Sequence, residues 1–331
     1  MFDRRLSTHM FKRVPLILML AISGAVDSSA DPYPAGNIIR IVAPTGPGAP
    51  PDAISRVIAT EISEARGWRV VVENRPGALQ TIAMGDVLKR PADGLSIFPM
   101  SVGAMAVPVL LPDKGLQFES DFAPVVGIAT GHAVLVVNPS VPATSISELV
   151  AALKAEPDKW TYSSGAFGTP AHLLGELFKL RTGVRAPLVP YPQGQQRIAD
   201  LLSGTTHFAF YNTPAVVDLI AAGRLRALAV TAPKRVAALK GVPTVAEQGF
   251  PDLQMADWIG FAVKNGSPND AIARLNASVN EALGMPKVRD ALGRLGYEPT
   301  GGTPGELGDL MASQLAYWSK IVKDSGIKVT H

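Results

Sequence analysis

Residues 160–178 read WTYSSGAFGTPAHLLGELF, and their types and spacing suit the capture of an anion. Trp160–Ser163 has the pattern of a short strand, Gly165 and Gly168 punctuate a small-residue loop, and a helix follows with Thr169 as N-cap and Pro170 at its first position. A helix start leaves about four backbone N–H groups without internal partners and carries roughly half a positive charge. Glycines let a ligand come close to that backbone. Gly168 as an approachable N–H and Thr169 as a hydroxyl donor are therefore the leading candidates. Phe167 sits inside a glycine loop with no helix or strand face to bury it, which makes it a candidate pocket wall. A capped helix after a strand also serves as a plain connection, so the rest of the chain has to decide.

Four more strand exits carry small or polar residues: Ala43-Pro44-Thr45-Gly46-Pro47-Gly48, Asn74-Arg75-Pro76-Gly77, Ser101-Val102-Gly103 and Tyr211-Asn212-Thr213-Pro214, the last with Thr213 as cap. Open α/β sheets take ligands at the carboxyl ends of their strands, so converging exits argue for a cleft. Candidate contacts are thus Thr45, Gly46, Gly48, Ser101, Gly165, Phe167, Gly168, Thr169, Tyr191, Tyr211, Asn212 and Thr213. Ser101 and Thr213 also suit ordinary caps, and Tyr191 and Tyr211 also suit the edge of a core. Asp52 reads as a first-turn helix acid. His172 has Glu176 at i+4 but no companion ligands, so it reads as a packing or capping residue and no metal is expected. Arg197 and His207 read as solvated, Tyr317 and Trp318 as core contacts. Gly46-x-Gly48 opens like a dinucleotide fingerprint, but Pro51 takes the third glycine position; no cofactor is expected.

The elements that must position these residues alternate almost throughout. Strand patterns cover 38–43, 69–73, 95–100, 125–129, 133–138, 160–163, 187–190, 207–211, 225–231 and 257–263. Helical patterns cover 52–66, 79–90, 145–155, 170–182, 193–203, 213–222, 243–249, 268–284, 286–295 and 304–325. That order predicts an α/β fold with largely parallel sheets. Ser145-x-x-Glu148, Thr244-x-x-Glu247 and Thr303-x-x-Glu306 have the form of capping boxes.

The chain opens with Arg4, Arg5, Lys12 and Arg13, an apolar run from Val14 to Val26, and Ser28-Ser29-Ala30. This is the pattern of a secretory signal peptide cleaved near Ala30, and it predicts an exported mature protein. Removing residues 1–30 takes away four basic and two acidic residues, so the formal charge falls from +3 to +1. No basic run is interleaved with aromatics, so no nucleic-acid partner is expected. With no cysteine there is no thiolate catalysis, disulfide or lipid anchor through cysteine.

Five stretches then act together: IIRIVAPTGPG (38–48), VVVENRPGA (70–78), YSSGAFGTPAHLLGELF (162–178), VPYPQG (189–194) and GRLRALAVTAPKR with GVPTVAEQGFP (223–251). In combination they resemble the tripartite tricarboxylate transporter substrate-binding family, the Bug periplasmic solute receptors, over residues 33–328. The resemblance implies a two-domain periplasmic binding protein of the Venus-flytrap type, with residues 31–131 and 253–331 in one domain, 132–252 in the other, and two crossovers. It implies capture of a small carboxylate without catalysis, delivery to membrane permease subunits, and a monomer. The chain departs from the family pattern in the first loop, where Ala49-Pro50-Pro51 replaces Gly-Gly-Thr, and in the second, where Leu79-Gln80 replaces Gly-Gly. Tyr211 stands where relatives often place an aspartate able to pair with an ammonium. These changes point to a carboxylate with an apolar or aromatic body. Two other classes fit the bare pattern: an exported α/β hydrolase, for which no G-x-S-x-G elbow is present, and a ligand sensor for a signalling partner.

Overall fold

The computed structural model describes residues 33–191 and 194–325; the leader expected at 1–30 lies outside them. The first part of the chain forms β1 (Ile38–Ala43), α1 (Pro50–Arg66), β2 (Arg69–Asn74), α2 (Thr81–Lys89), β3 (Ser96–Ser101) and α3 (Val102–Leu110). The middle part forms α4 (Phe118–Asp121), β4 (Phe122–Val137), α5 (Ile146–Ala155), β5 (Tyr162–Ser164), α6 (Pro170–Thr182), β6 (Leu188–Pro190), α7 (Gly194–Ser203), β7 (Phe208–Asn212), α8 (Thr213–Ala221) and β8 (Arg226–Val230). The last part forms β9 (Ala256–Lys264), α9 (Asn269–Gly284), α10 (Pro286–Leu295), β10 (Tyr297–Gly301) and α11 (Pro304–Ser325).

The strands run in the order β2-β1-β3-β9-β4-β7-β5-β6, and β10 and β8 also pair with β4. The sheet is mixed rather than largely parallel. β1–β2, β1–β3, β5–β6 and β5–β7 are parallel, whereas every pairing made by β4 or β9 is antiparallel. Two expected strands, 125–129 and 133–138, are one strand of 16 residues. Its first half pairs with β9 and β10 and its second half with β7 and β8. Gly127, within the first expected strand, and Gly131, in the gap between the two, let β10 come close: a β-carbon on either would sit 3.0 Å from a β10-side carbonyl, Gly301 O or Gly296 O. β10 itself escaped the sequence reading because Pro299 and Gly301 dilute its pattern.

The helix expected at 243–249 is only a turn. Its capping box closes, with Thr244 N–H on Glu247 Oε2 (2.7 Å) and Glu247 N–H on Thr244 Oγ1 (3.1 Å). Thr244 is nevertheless held in a bridge to Val230, and left-handed Gly249 (φ 85°) follows before Pro251. Local capping loses here to strand pairing. α6, α10 and α11 keep their expected ends, and the box at Thr303 and Glu306 does head α11.

Helix α6 is fixed in height by one close contact. Leu173, Leu174, Leu177 and Phe178 bury its apolar face, each contributing roughly 1.5–3 kcal/mol. Gly175 lies against the Tyr162 ring of β5, so that a β-carbon there would sit 2.1 Å from Tyr162 Cε2. The Tyr162 hydroxyl donates to Glu176, which Lys179 also holds at 2.9 Å. Gly175→Ala is therefore expected to destabilise the protein by about 2 kcal/mol through overpacking, measured by urea unfolding.

Candidate functional site

β1 and β5 each feed a loop and then a helix, β3 and β7 run directly into α3 and α8, and two of those helix starts meet. A β-carbon on Gly103, in the first turn of α3, would lie 2.4 Å from Gly168 O, just before α6. Two positive helix ends brought together favour a shared anion. Between them stands the 3₁₀ turn Ala78–Gln80. Ala78, Leu79 and Gln80 all have positive φ (44°, 52° and 73°), a conformation that favours glycine. Leu79 Cδ2 lies 2.5 Å from where a β-carbon of Gly168 would be, and Gln80 Nε2 is 2.7 Å from that of Gly103. Leu79 and Gln80 thus narrow the space between the two helix starts, and Gly168 (φ 77°) is required there for both conformation and room.

The hydrogen bonds redistribute the expected donors. The Gly168 N–H donates to His172 Nδ1 at 3.1 Å. The Thr169 N–H and hydroxyl both donate to Ala166 O, at 3.2 and 2.7 Å. Thr169 is the N-cap residue, but its side chain makes no cap bond. Both groups expected to grip a ligand are thus engaged within the loop. With Pro170 lacking an N–H, the donors left in the first turn of α6 by helix geometry are those of Ala171 and His172. His172 is buried and acts as the capping residue its position suggested; burial holds its pKa below the ordinary histidine value, and accepting the Gly168 N–H requires a neutral ring. Phe167, 38% exposed, meets the His172 ring edge-on at 5.3 Å. Gly165 lies under Thr169, with Thr169 Oγ1 3.2 Å from its β-carbon position.

The first loop is organised by Asp52 rather than left open. Asp52 is 1% exposed and accepts from Gly48 N–H (2.8 Å), Asn74 Nδ2 (2.8 Å) and Arg56 Nε (2.9 Å). Gly48, an expected donor, is therefore spent on Asp52, and Gly46 O accepts from Ala49 N–H. Pro50 and Pro51 remove two more N–H groups from the start of α1. What this loop offers is Thr45 Oγ1, buried and without a partner. Ser101, 4% exposed, caps α3 by position with no side-chain cap bond.

At the opposite end of the candidate set, Tyr191 gives its hydroxyl to Asp200 at 2.5 Å. Asn212, not Thr213, is the N-cap of α8, and its Nδ2 donates to Tyr297 OH at 3.1 Å; Thr213 opens the helix itself. Tyr211 is buried beneath the Arg197 guanidinium, 3.9 Å from ring centroid to Cζ. Arg197, read as solvated, is 8% exposed, and His207 is half-buried with Nδ1 accepting from Thr161 N–H. The signal for Arg197 was available: it lies four residues before fully buried Leu201, on the inward face of α7.

Buried side-chain atoms without partners include Thr45 Oγ1 after β1, Gln80 Oε1 in the 78–80 turn, Ser163 Oγ on β5, Tyr211 OH on β7 and Arg197 Nε on α7. Among the described residues no group of three or more His, Cys, Asp or Glu is placed to hold a metal, and no helix is long and apolar enough to cross a membrane.

Residues 54–327 match the family model described as tripartite tricarboxylate transporter family receptor. The chain is 34% identical to protein BugT of Bordetella pertussis over 319 residues, covering 94% of this chain and 96% of that one. A solved periplasmic transporter is 35% identical with a TM-score of 0.81, covering 89% of this chain and 99% of its own. R. palustris Rpa4515, solved with adipate, is 34% identical with a TM-score of 0.80 and the same coverage. The protein belongs to the tripartite tricarboxylate transporter receptor family, the Bug solute-binding receptors.

Proposed function

We propose that the protein is a periplasmic receptor that closes on a small carboxylate and delivers it to the permease of a tripartite tricarboxylate-type transporter, without catalysing a reaction. In this reading residues 31–131 and 253–331 form one lobe and 132–252 the other, with the cleft between the exits of β1 and β3 and those of β5 and β7. The observation that carries the reading is the meeting of the α3 and α6 starts at Gly103 and Gly168, beside Gln80, whose Oε1 is buried without a partner. The ligand carboxylate rests on the Ala171 and His172 N–H groups, with Thr45 and Ser101 facing it. Charge-assisted hydrogen bonds contribute roughly 1.5–3 kcal/mol each, so a few of them suffice for micromolar binding. Closure follows if the closed form binds the ligand more tightly than the open one.

Leu79 against Gly168, and Phe167 exposed beside the α6 start, support a ligand with an apolar body. Adipate in the R. palustris relative has that character. The test is a thermal-shift screen of mono-, di- and tricarboxylates followed by calorimetry and recovery of the ligand. At least one carboxylate is expected to raise the melting temperature and to be recovered unchanged. A screen in which no carboxylate stabilises the protein, or in which the bound acid is consumed, overturns the reading.

A further inference from the structure

The strongest unexplained feature is a buried cation. Arg197 lies on α7 and is 8% exposed, yet among the described residues it makes no ion pair. Asp200, the acid one turn further along α7, is held by Tyr191 OH and Gln196 Nε2 (2.7 Å) instead. One guanidinium nitrogen donates to Ser163 O (3.1 Å) and Phe210 O (2.6 Å), and one face lies on the Tyr211 ring. Two carbonyls and a ring face do not neutralise a guanidinium, and an uncompensated buried charge is costly. Burial accordingly draws its pKa below the ordinary arginine value, with only Tyr211 opposing.

The position of this cation is informative. Ser163 and Phe210 belong to the neighbouring parallel strands β5 and β7, paired at Tyr162–Phe208 and Ser163–Ala209. Their carboxyl ends are where a sheet of this type receives ligands, and β5 runs on through Ser164 into the Gly165–Gly168 loop. Arg197 Nε, Ser163 Oγ and Tyr211 OH, three polar groups from three elements, are buried there with no partner.

We infer that Arg197, with Ser163 and Tyr211, forms an anion subsite that takes a second carboxylate of the ligand, distinct from the one held at the start of α6. The inference rests on the receptor reading above and adds to it a requirement for two negative groups. A planar guanidinium presents donors in a fork that matches a carboxylate, the Ser163 and Tyr211 hydroxyls complete its hydrogen bonding, and the bound anion supplies the missing counter-charge.

The experiment titrates straight-chain dicarboxylates of four to eight carbons, and the monocarboxylates of equal length, into the wild type, Arg197→Met and Arg197→Lys by calorimetry. The wild type is expected to prefer the dicarboxylate by at least 30-fold. Arg197→Met is expected to lose that preference while its affinity for the monocarboxylate changes less than threefold, and Arg197→Lys to recover it only in part. A second readout needs no variant to fold: the Nε–Hε resonance of Arg197 in the wild type is expected to move on adding dicarboxylate and not on adding monocarboxylate. An unchanged preference in Arg197→Met, or a stationary Arg197 resonance under saturating dicarboxylate, overturns the subsite and leaves the receptor reading standing. Failure of every acid to bind the wild type overturns both.

Discussion

Asp52→Ala is expected to destabilise the protein by about 2 kcal/mol, because it removes the one buried acceptor shared by three donors, of which Asn74 is half-buried while Gly48 and Arg56 reach solvent. Gly48 N–H, Asn74 Nδ2 and Arg56 Nε all end on this one carboxylate, itself 1% exposed. Asn74 also donates to Thr45 O (2.9 Å), so the loss spreads along the exit of β1 to Thr45. Urea unfolding at neutral pH measures the effect, and a loss below 1 kcal/mol would show that the loop is organised by other means. Burial alone would raise the pKa of Asp52, but the hydrogen bonds from Arg56, Gly48 and Asn74 outweigh it and hold the carboxyl below its ordinary value. A depressed carboxyl contributes stability that is present above its unfolded pKa of about 3.8 and is lost as pH falls through the folded value. Acid unfolding of the wild type should accordingly be steeper below pH 4 than that of Asp52→Asn.

Asp257→Asn is expected to act with the opposite pH dependence. Asp257 is the second residue of β9 and is 8% exposed, and burial pushes its carboxyl up from 3.8 to about 6 despite the hydrogen bond that Tyr297 OH donates to it. Between these values the folded state holds the proton more tightly than the unfolded chain, so stability falls as pH rises from about 4 to about 6. The full difference amounts to about 3 kcal/mol. Asparagine still accepts from Tyr297 but does not titrate, so the variant should lose this slope and match or exceed the wild type at pH 7. Chemical unfolding at pH 4, 5, 6 and 7 resolves the two curves; parallel curves would show that Asp257 titrates normally. Asp257, Tyr297 and Asn212 form a chain from β9 through β10 to the cap of α8, joining elements that pair with opposite halves of β4. In the two-lobed reading proposed above, conditions that charge Asp257 bear on the hinge.

The helices were legible where local signals and packing agree. Thr169-Pro170 and Gly183 (φ 66°) mark both ends of α6 in the sequence as in the structure. Which N–H groups remain free at that helix was not legible, because it depends on His172 turning back to Gly168 and Thr169 turning back to Ala166. The sequence marks Asp52 only as a helix acid, and its grip on Gly48 and Asn74 arises only when β1 and β2 pair at Ala43 and Asn74. The departure at Leu79-Gln80 was visible as missing glycines. That these residues adopt the glycine conformation anyway is set by tertiary contact with Gly103 and Gly168. For Arg197 the charge points to solvent, but its place on the inward face of α7 decides its burial.

The most direct measurement is a crystal structure of the protein with the best-binding carboxylate from the screen. The ligand's carboxylate should lie within hydrogen-bonding distance of the Ala171 and His172 amides at the head of α6, faced by Thr45 and Ser101. An acid lodged away from that first helical turn, with those amides bound only to solvent, would contradict the account.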